Sequence, residues 1–207
     1  MKPDLTNIKN IIFDLGRVLL NLDFNASVRA FQQLGLKNDV LDQHLVYSAP
    51  VFYSLETGKI SQAEFCAGVR KVLENPGISD KQIEDAWYAM ILDIPATRVK
   101  KVQELAKTYN VYLFSNTNQI HIERLHAAFQ QEYGFSFSSL FVKDYHSHEI
   151  HDNKPNVSSY LKVIAHSGVN PDETLFVDDL EKNIAGAQAA GLKTFWLQEG
   201  MEMADLF

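Results

Sequence analysis

Asp14 follows the apolar residues Ile11, Ile12 and Phe13, and Asp178 and Asp179 follow Leu175, Phe176 and Val177. Between them in the chain, Ser115 and Asn116 close a third apolar run, and Lys154 stands in the polar segment "DNKPN". Brought side by side, these runs would gather three carboxylates, one hydroxyl, one amide and one ammonium. Such a group is unbalanced, because two like charges about 4 Å apart repel by about 4 kcal/mol at an effective dielectric of 20. Either one acid takes up a proton or a divalent cation joins the cluster. Hard oxygen donors from few carboxylates, with room left for water and a phosphate, favour Mg2+. With the metal in place the cluster is neutral and can accept a phosphate anion.

These residues need a frame that holds them along one edge. Short apolar runs recur at 10–14, 111–116, 139–144, 174–179 and 194–197. Their continuous rather than alternating character suits parallel strands covered on both faces. Helical stripes lie between them: Val99, Val102, Leu105 and Ala106; Ile122, Leu125, His126 and Phe129; Leu161, Ile164, Ala165 and Gly168; and Ile184, Ala187 and Ala190. The alternation from Pro95 onward predicts an α/β domain with a doubly wound parallel sheet. In such sheets ligands bind beyond the carboxyl ends of the strands, where Asp14, Ser115, Asn116, Asp178 and Asp179 all fall.

The segment from Leu22 to Ile94 carries no convincing strand. Val28, Phe31 and Leu34 predict a helix stopped at Gly35. Ser61-x-x-Glu64 and Ser79-x-x-Gln82 are capping boxes ahead of apolar stripes, Phe65, Val69, Val72 and Leu73 in one case and Ile83, Ala86, Trp87 and Met90 in the other. The expected organisation is a core of residues 1–21 and 95–207, with a helical cap over 22–94 that serves as a lid.

A net charge of -7 and a pI near 5.5 argue against nucleic acid or an anionic membrane as partner. The single cysteine, Cys66, permits no intrachain disulfide and no cysteine-based zinc cluster, and "AEFCAGV" predicts a buried, inert thiol. No apolar run is long enough to span a bilayer, and "MKPDLTN" lacks the apolar core of a signal peptide, so a cytoplasmic location is expected. The oligomeric state is open at this level.

At this point the chain resembles the haloacid dehalogenase superfamily of hydrolases. The likeness rests on "FDLGRVL", "FSNTN", "NKP" and "FVDDLEKNIAGAQAAG", taken in that order, with the helical insertion between the first two similar to the small cap of one major branch. "DLG.VL...DF", "E.G.IS..EF" and "FVDD...NI.GA...G" are most similar to sugar-phosphate phosphatases of the glucose-1-phosphate phosphatase type. The resemblance implies a Rossmann-like core and a Mg2+-dependent phosphatase for a small phosphorylated metabolite. Asp14 would attack phosphorus to give an aspartyl-phosphate. Asp14, the backbone carbonyl of Gly16, Asp179 and, directly or through water, Asp178 would hold the metal. The Ser115 hydroxyl and the Asn116 N–H would hold phosphoryl oxygens, and Lys154 would neutralise charge in the transition state. Gly186 and Gly191 would serve helix packing and helix termination.

The chain departs from that pattern at Gly16, where most such phosphatases carry the aspartate that protonates the leaving group. A glycine fits a bent turn there because it tolerates φ values that others avoid. Loss of a general acid commonly removes a factor of about 10² to 10⁴. Two readings follow: a phosphatase for leaving groups that need little protonation or one with another acid, and a weak or inactive phosphate-binding protein. Asp23 and the histidines are the substitute acids the sequence offers. A metal-independent dehalogenase is a third reading, opposed by the Asp178–Asp179 pair. Arg17 can touch substrate or face solvent and the cap. His121 can approach the site or serve the start of a helix. His146, His148 and His151, beside Glu149 and Asp152, form the most metal-like run by eye, although a loop near the substrate is the reading preferred for it. Phe52, Tyr53, Trp87 and Tyr88 can shape a pocket or fill a core.

Overall fold

A computed structural model describes residues 2–36 and 49–207. Five strands, β1 (Asn10–Phe13), β2 (Asn110–Ser115), β3 (Lys143–His146), β4 (Thr174–Asp178) and β5 (Lys193–Trp196), form one parallel sheet in the order β3-β2-β1-β4-β5. The central strands β1 and β4 are buried along their whole length, as continuous apolar runs require. Phe13 pairs with Leu113 on one side and Val177 on the other, so the register brings Asp14 level with Asp178.

Side chains alternate across the sheet and feed two cores. Ile11, Phe13, Leu113 and Val177 pack on one face with Val99 and Val102 of α5 (Ala96–Leu105) and Ile122, Leu125 and Phe129 of α6 (Gln119–Tyr133). Ile12, Phe114 and Phe176 pack on the other with Tyr160 and Val163 of α8 (Val157–Ser167) and Ile184 and Ala187 of α9 (Glu181–Ala189). The short helices α7 (Ser147–Ile150) and α10 (Met203–Leu206) complete the core.

Between β1 and β2 lie α1 (Phe24–Gln33), α2 (Pro50–Glu56), α3 (Gln62–Val72) and α4 (Asp80–Tyr88), which enclose their own cluster of Phe31, Phe52, Phe65, Ile83 and Trp87. Both predicted capping boxes form with their reciprocal bonds: Ser61 with Glu64, and Ser79 with Gln82. α2, which the sequence reading did not delimit, starts with Pro50 in its first turn, where the missing N–H costs nothing. Cys66 is buried in this cluster, and burial pushes its thiol up to about 11.

Two elements differ from expectation. The third strand lies at Lys143–His146 rather than 139–144, because Phe137–Leu140 is a 3-10 turn whose Phe137 and Leu140 plug the core. As an edge strand β3 alternates, with Asp144 and His146 on one face and Tyr145 packed in the opposite core. The buried face of α8 is Ser159, Tyr160 and Val163, whereas Leu161 is 51% exposed. Tyr160 rotates the helix: its ring meets Phe114 and Phe176 edge-on and its hydroxyl donates to the Asn183 carbonyl.

Candidate active site

Lys154 lies at the centre of the predicted constellation. Its ammonium donates to Asp14 at 2.5 Å, to Asp178 at 2.8 Å and to the Phe114 carbonyl at 3.0 Å, which accounts for all three of its protons. The lysine is held from its backbone as well. The Asn116 side chain accepts from the Lys154 N–H at 2.9 Å and donates to the Lys154 carbonyl at 2.8 Å. Behind it, Gly186 of α9 lets the neighbouring loop approach closely, since a Cβ there would stand 2.3 Å from the Pro155 carbonyl oxygen.

Asp178 is fully buried, and its two oxygens accept from Lys154, from the Asn183 amide and from the Leu180 N–H. Its hydrogen-bonding capacity is largely spent on the protein. Asp14 and Asp179 are less encumbered, and carboxylate oxygens of Asp14, Asp178 and Asp179 lie within 4.8 Å of one another. Burial, opposed by Lys154 and reinforced by Asp178, pushes Asp14 up to about 7. Burial and Asp178 also raise Asp179, whose nearest cation is Arg17 at 3.9 Å. Burial works against the Lys154 charge, but Asp14 and Asp178 raise its pKa overall, and it stays an ammonium. One cation against three buried acids leaves charge that a divalent ion would neutralise, and the all-oxygen donor set fits Mg2+.

The backbone beside Asp14 completes the cradle. Among the described residues, the N–H groups of Leu15, Gly16 and Asn116 have no hydrogen-bond partner, and the Gly16 carbonyl accepts none. Buried amides are almost always paired, so a patch of free ones at strand ends suits an anion. Ser115 is buried next to them.

Gly16 is not glycine for the reason expected. The residue with positive φ is Arg17, at 59°, and not Gly16. An added Cβ at 16 would stand 2.8 Å from Leu22 Cδ1, the far end of a flexible side chain that can turn aside, so neither φ nor space demands glycine there. The Arg17 side chain is largely exposed, lying over the ring of Phe24 near Asp179.

These groups open into a pocket of about 320 Å³ bounded by Asp14, Ser115 and Lys154 below and by Phe24, Glu56 and Trp87 above. Glu56, at the end of α2, was missed by the sequence reading. Burial pushes its carboxyl up to about 7, against the pull of Lys182. Its only sequence signal was its place in "LETGKIS". Asn183, also missed, sits among the apolar residues of α9, where a buried amide calls for a partner such as Asp178.

The remaining candidates fall outside the cradle or line its edge. Asp23 pairs with Arg29 at 2.8 Å, which holds it below the usual carboxylate range. His121 stacks on Trp87 and donates from Nε2 to the Trp87 carbonyl at 3.1 Å; burial pushes its pKa down to about 3. Phe52 and Trp87 are cap core, Tyr88 packs under Arg124, and Tyr53 is exposed. His151 adopts a φ of 52° and bonds to the Thr57 carbonyl of the cap, away from His146.

A family profile for haloacid dehalogenase-like hydrolases matches residues 8–191. A D-ribitol-5-phosphate phosphatase from Bacteroides thetaiotaomicron is 31% identical over 198 residues, covering 94% of each chain. The crystal structure of a HAD family enzyme from the same organism, complexed with magnesium and inorganic phosphate, superposes with a TM-score of 0.88 at 34% identity, over 97% of this chain and 99% of the other. A predicted HAD-like hydrolase from Porphyromonas gingivalis gives 0.84 at 32% identity, over 94% and 93%. Among the described residues, no helix is long and apolar enough to cross a membrane.

Proposed function

The chain belongs to the haloacid dehalogenase-like hydrolase family, and on that premise we propose that it is a Mg2+-dependent phosphatase of a small phosphorylated metabolite, a sugar or sugar-alcohol phosphate by preference. The carrying observation is the Asp14–Lys154–Asp178 contact beneath a row of unpaired N–H groups. The D-ribitol-5-phosphate phosphatase and the magnesium- and phosphate-bound relative support the same reading.

In this mechanism the Ser115 hydroxyl and the N–H groups of Leu15, Gly16 and Asn116 receive the phosphoryl oxygens. Asp14, aimed by the rigid end of β1, attacks phosphorus in line with the leaving oxygen and becomes the aspartyl-phosphate. Lys154 offsets charge on the transferring group. Asp14, Asp179 and the Gly16 carbonyl are the groups assigned to hold Mg2+, which when bound supplies positive charge to the phosphoryl oxygens. Asp178 holds Lys154 and would reach the ion directly or through water. Residues 22–94 act as the cap over a core of 1–21 and 95–207, closing the pocket on the leaving group.

Gly16 supplies no proton, and Glu56 is the proton donor assigned in its place. It faces the same pocket from the cap side and is half protonated near neutrality. A dehalogenase would have no use for the acidic pair at the end of β4.

The test is hydrolysis of p-nitrophenyl phosphate with Mg2+ and with EDTA. Release that needs Mg2+ and vanishes in Asp14→Asn supports the assignment. Phosphate and Mg2+ binding without turnover on any phosphoester would replace it with the binding-protein reading.

A further inference from the structure

A second polar cluster lies on the opposite side of the Ser115 loop from the catalytic acids. Asp144 and His146 stand two apart on one face of β3, and α6 lays His126 across them. His126 Nε2 is 4.0 Å from Asp144 Oδ2, and His146 Nε2 is 3.9 Å from the same atom. One ligand atom from each of the three residues lies within 4.8 Å of the others.

The second observation concerns what these rings lack. His126 Nε2 and both ring nitrogens of His146 are buried without a hydrogen-bond partner, and the His146 side chain is only 4% exposed. Buried polar atoms are rarely left unsatisfied, so the two Nε2 atoms that face Asp144 ask for a ligand. Burial depresses both histidines, keeping them in the neutral form that offers a lone pair.

The surroundings match the outer contacts of a metal site. His146 Nδ1 faces the Glu149 carboxylate at 3.3 Å, the placement a carboxylate takes when it orients an imidazole whose other nitrogen is a ligand. Ser138 donates to Asp144 Oδ2 at 2.6 Å. The His148 ring stacks on His146 at 5.7 Å between centroids and shields one side. Bonds of about 2.0–2.1 Å in a tetrahedron set ligand atoms about 3.4 Å apart, so each side chain need shift only a few tenths of an ångström.

We propose that His126, Asp144 and His146 bind one borderline transition-metal ion, Zn2+ or a first-row neighbour, with water as the fourth ligand. Two imidazoles and one carboxylate suit such an ion better than the hard Mg2+ suited to the catalytic acids. The ion would tie α6 to the edge strand. Its influence would reach the phosphate cradle because Ser147, next to His146, donates to the Thr117 carbonyl and accepts from the Thr117 N–H.

The test uses the full chain, stripped with EDTA and then held in excess Mg2+ so that the catalytic acids are occupied. Titration with ZnCl2 should show one equivalent bound. His146→Gln and His126→Gln should each weaken it by 100-fold or more, and Glu149→Gln by about 10–100-fold. Asp14→Asn should leave it unchanged. In the wild type, Zn2+ should move the ring 15N resonances of His126 and His146 while leaving those of His121 in place, a readout that needs no variant. No bound equivalent, unchanged affinity in both histidine variants, or loss of the site in Asp14→Asn would each overturn the proposal.

Discussion

The two walls of the pocket hold their polar groups in different ways. On the strand-end wall, Lys154 spends all three protons, Asn116 clasps its backbone from both sides, and Asp178 is saturated by Lys154, Asn183 and Leu180. On the cap wall, Phe24, Trp87 and Met90 present apolar surface, and Glu56 accepts no hydrogen bond from any described residue. The lower wall is preorganised, so its charges need not rearrange when a phosphoryl group arrives. The upper wall is an apolar surface with one adjustable carboxyl. On the proposed mechanism, the step common to every substrate belongs to the rigid wall, and discrimination among leaving groups to the other.

The contrast breaks most severely at Lys154. Lys154→Met leaves Asp14 and Asp178 buried without their cation, which costs about 3–5 kcal/mol. Turnover should fall by about 10³-fold even for p-nitrophenyl phosphate. Urea melts should show Mg2+ restoring more stability to the variant than to the wild type, while activity stays lost. Equal loss for all substrates is what the rigid wall demands.

Gly58→Ala attacks the seam between the walls. Gly58 has a φ of +63°, and a Cβ there would stand 2.1 Å from the His148 carbonyl oxygen. Because backbone rather than a pliable side chain is struck, the cap loop must lift from α7. We expect a loss of about 1–3 kcal/mol in urea melts and a raised KM for sugar phosphates. An unchanged KM would mean that the cap does not grip the leaving group.

Glu56→Gln sharpens the comparison without disturbing the fold. Turnover of an alkyl phosphate, with its poor leaving group, should fall by about 10²-fold. For p-nitrophenyl phosphate, which leaves without help, the change should stay within about threefold. With a folded pKa of about 7, the wild-type rate on alkyl phosphates should decline as pH rises through that value, and Glu56→Gln should lose the limb.

The smallest effect is on pH stability. His121 titrates near 3 when buried and near 6.5 when unfolded. Its folded pKa is depressed, so its contribution is complete above 6.5 and is lost as pH falls below that. The slope is at most about 1.4 kcal/mol per pH unit. Comparing urea midpoints at pH 7 and pH 5.5 checks this, with His121→Phe expected to flatten the dependence.

The rigid wall was legible in the sequence because its residues are tied to strand ends. Once apolar runs locate β1, β2 and β4, the register of a parallel sheet brings Asp14, Ser115 and Asp178 to one edge. Lys154 was legible as a charge the acids required. Where a boundary depended on packing from another element, the reading slipped. The Phe137–Leu140 turn has the apolar content of a strand, and Tyr160 turns α8 away from the Leu161 stripe. At Gly16 the local reading also failed, since neither a positive φ nor a rigid neighbour requires glycine there. Glu56 could not be found because its raised pKa comes from desolvation by distant residues. The cluster of His126, Asp144 and His146 was half visible, in the run around His146, but its other ring arrives from α6.

At Gly186 the floor of the lysine loop is bare peptide from α9 against the Pro155 oxygen. A single methyl group added there would act as a wedge, tipping that loop outward and pulling the ammonium from Asp14 and Asp178 alike. The smallest side chain in the protein thus sets the height at which the buried ammonium rides, and the fit of α9 behind the lysine loop governs whether Asp14 keeps its counter-charge.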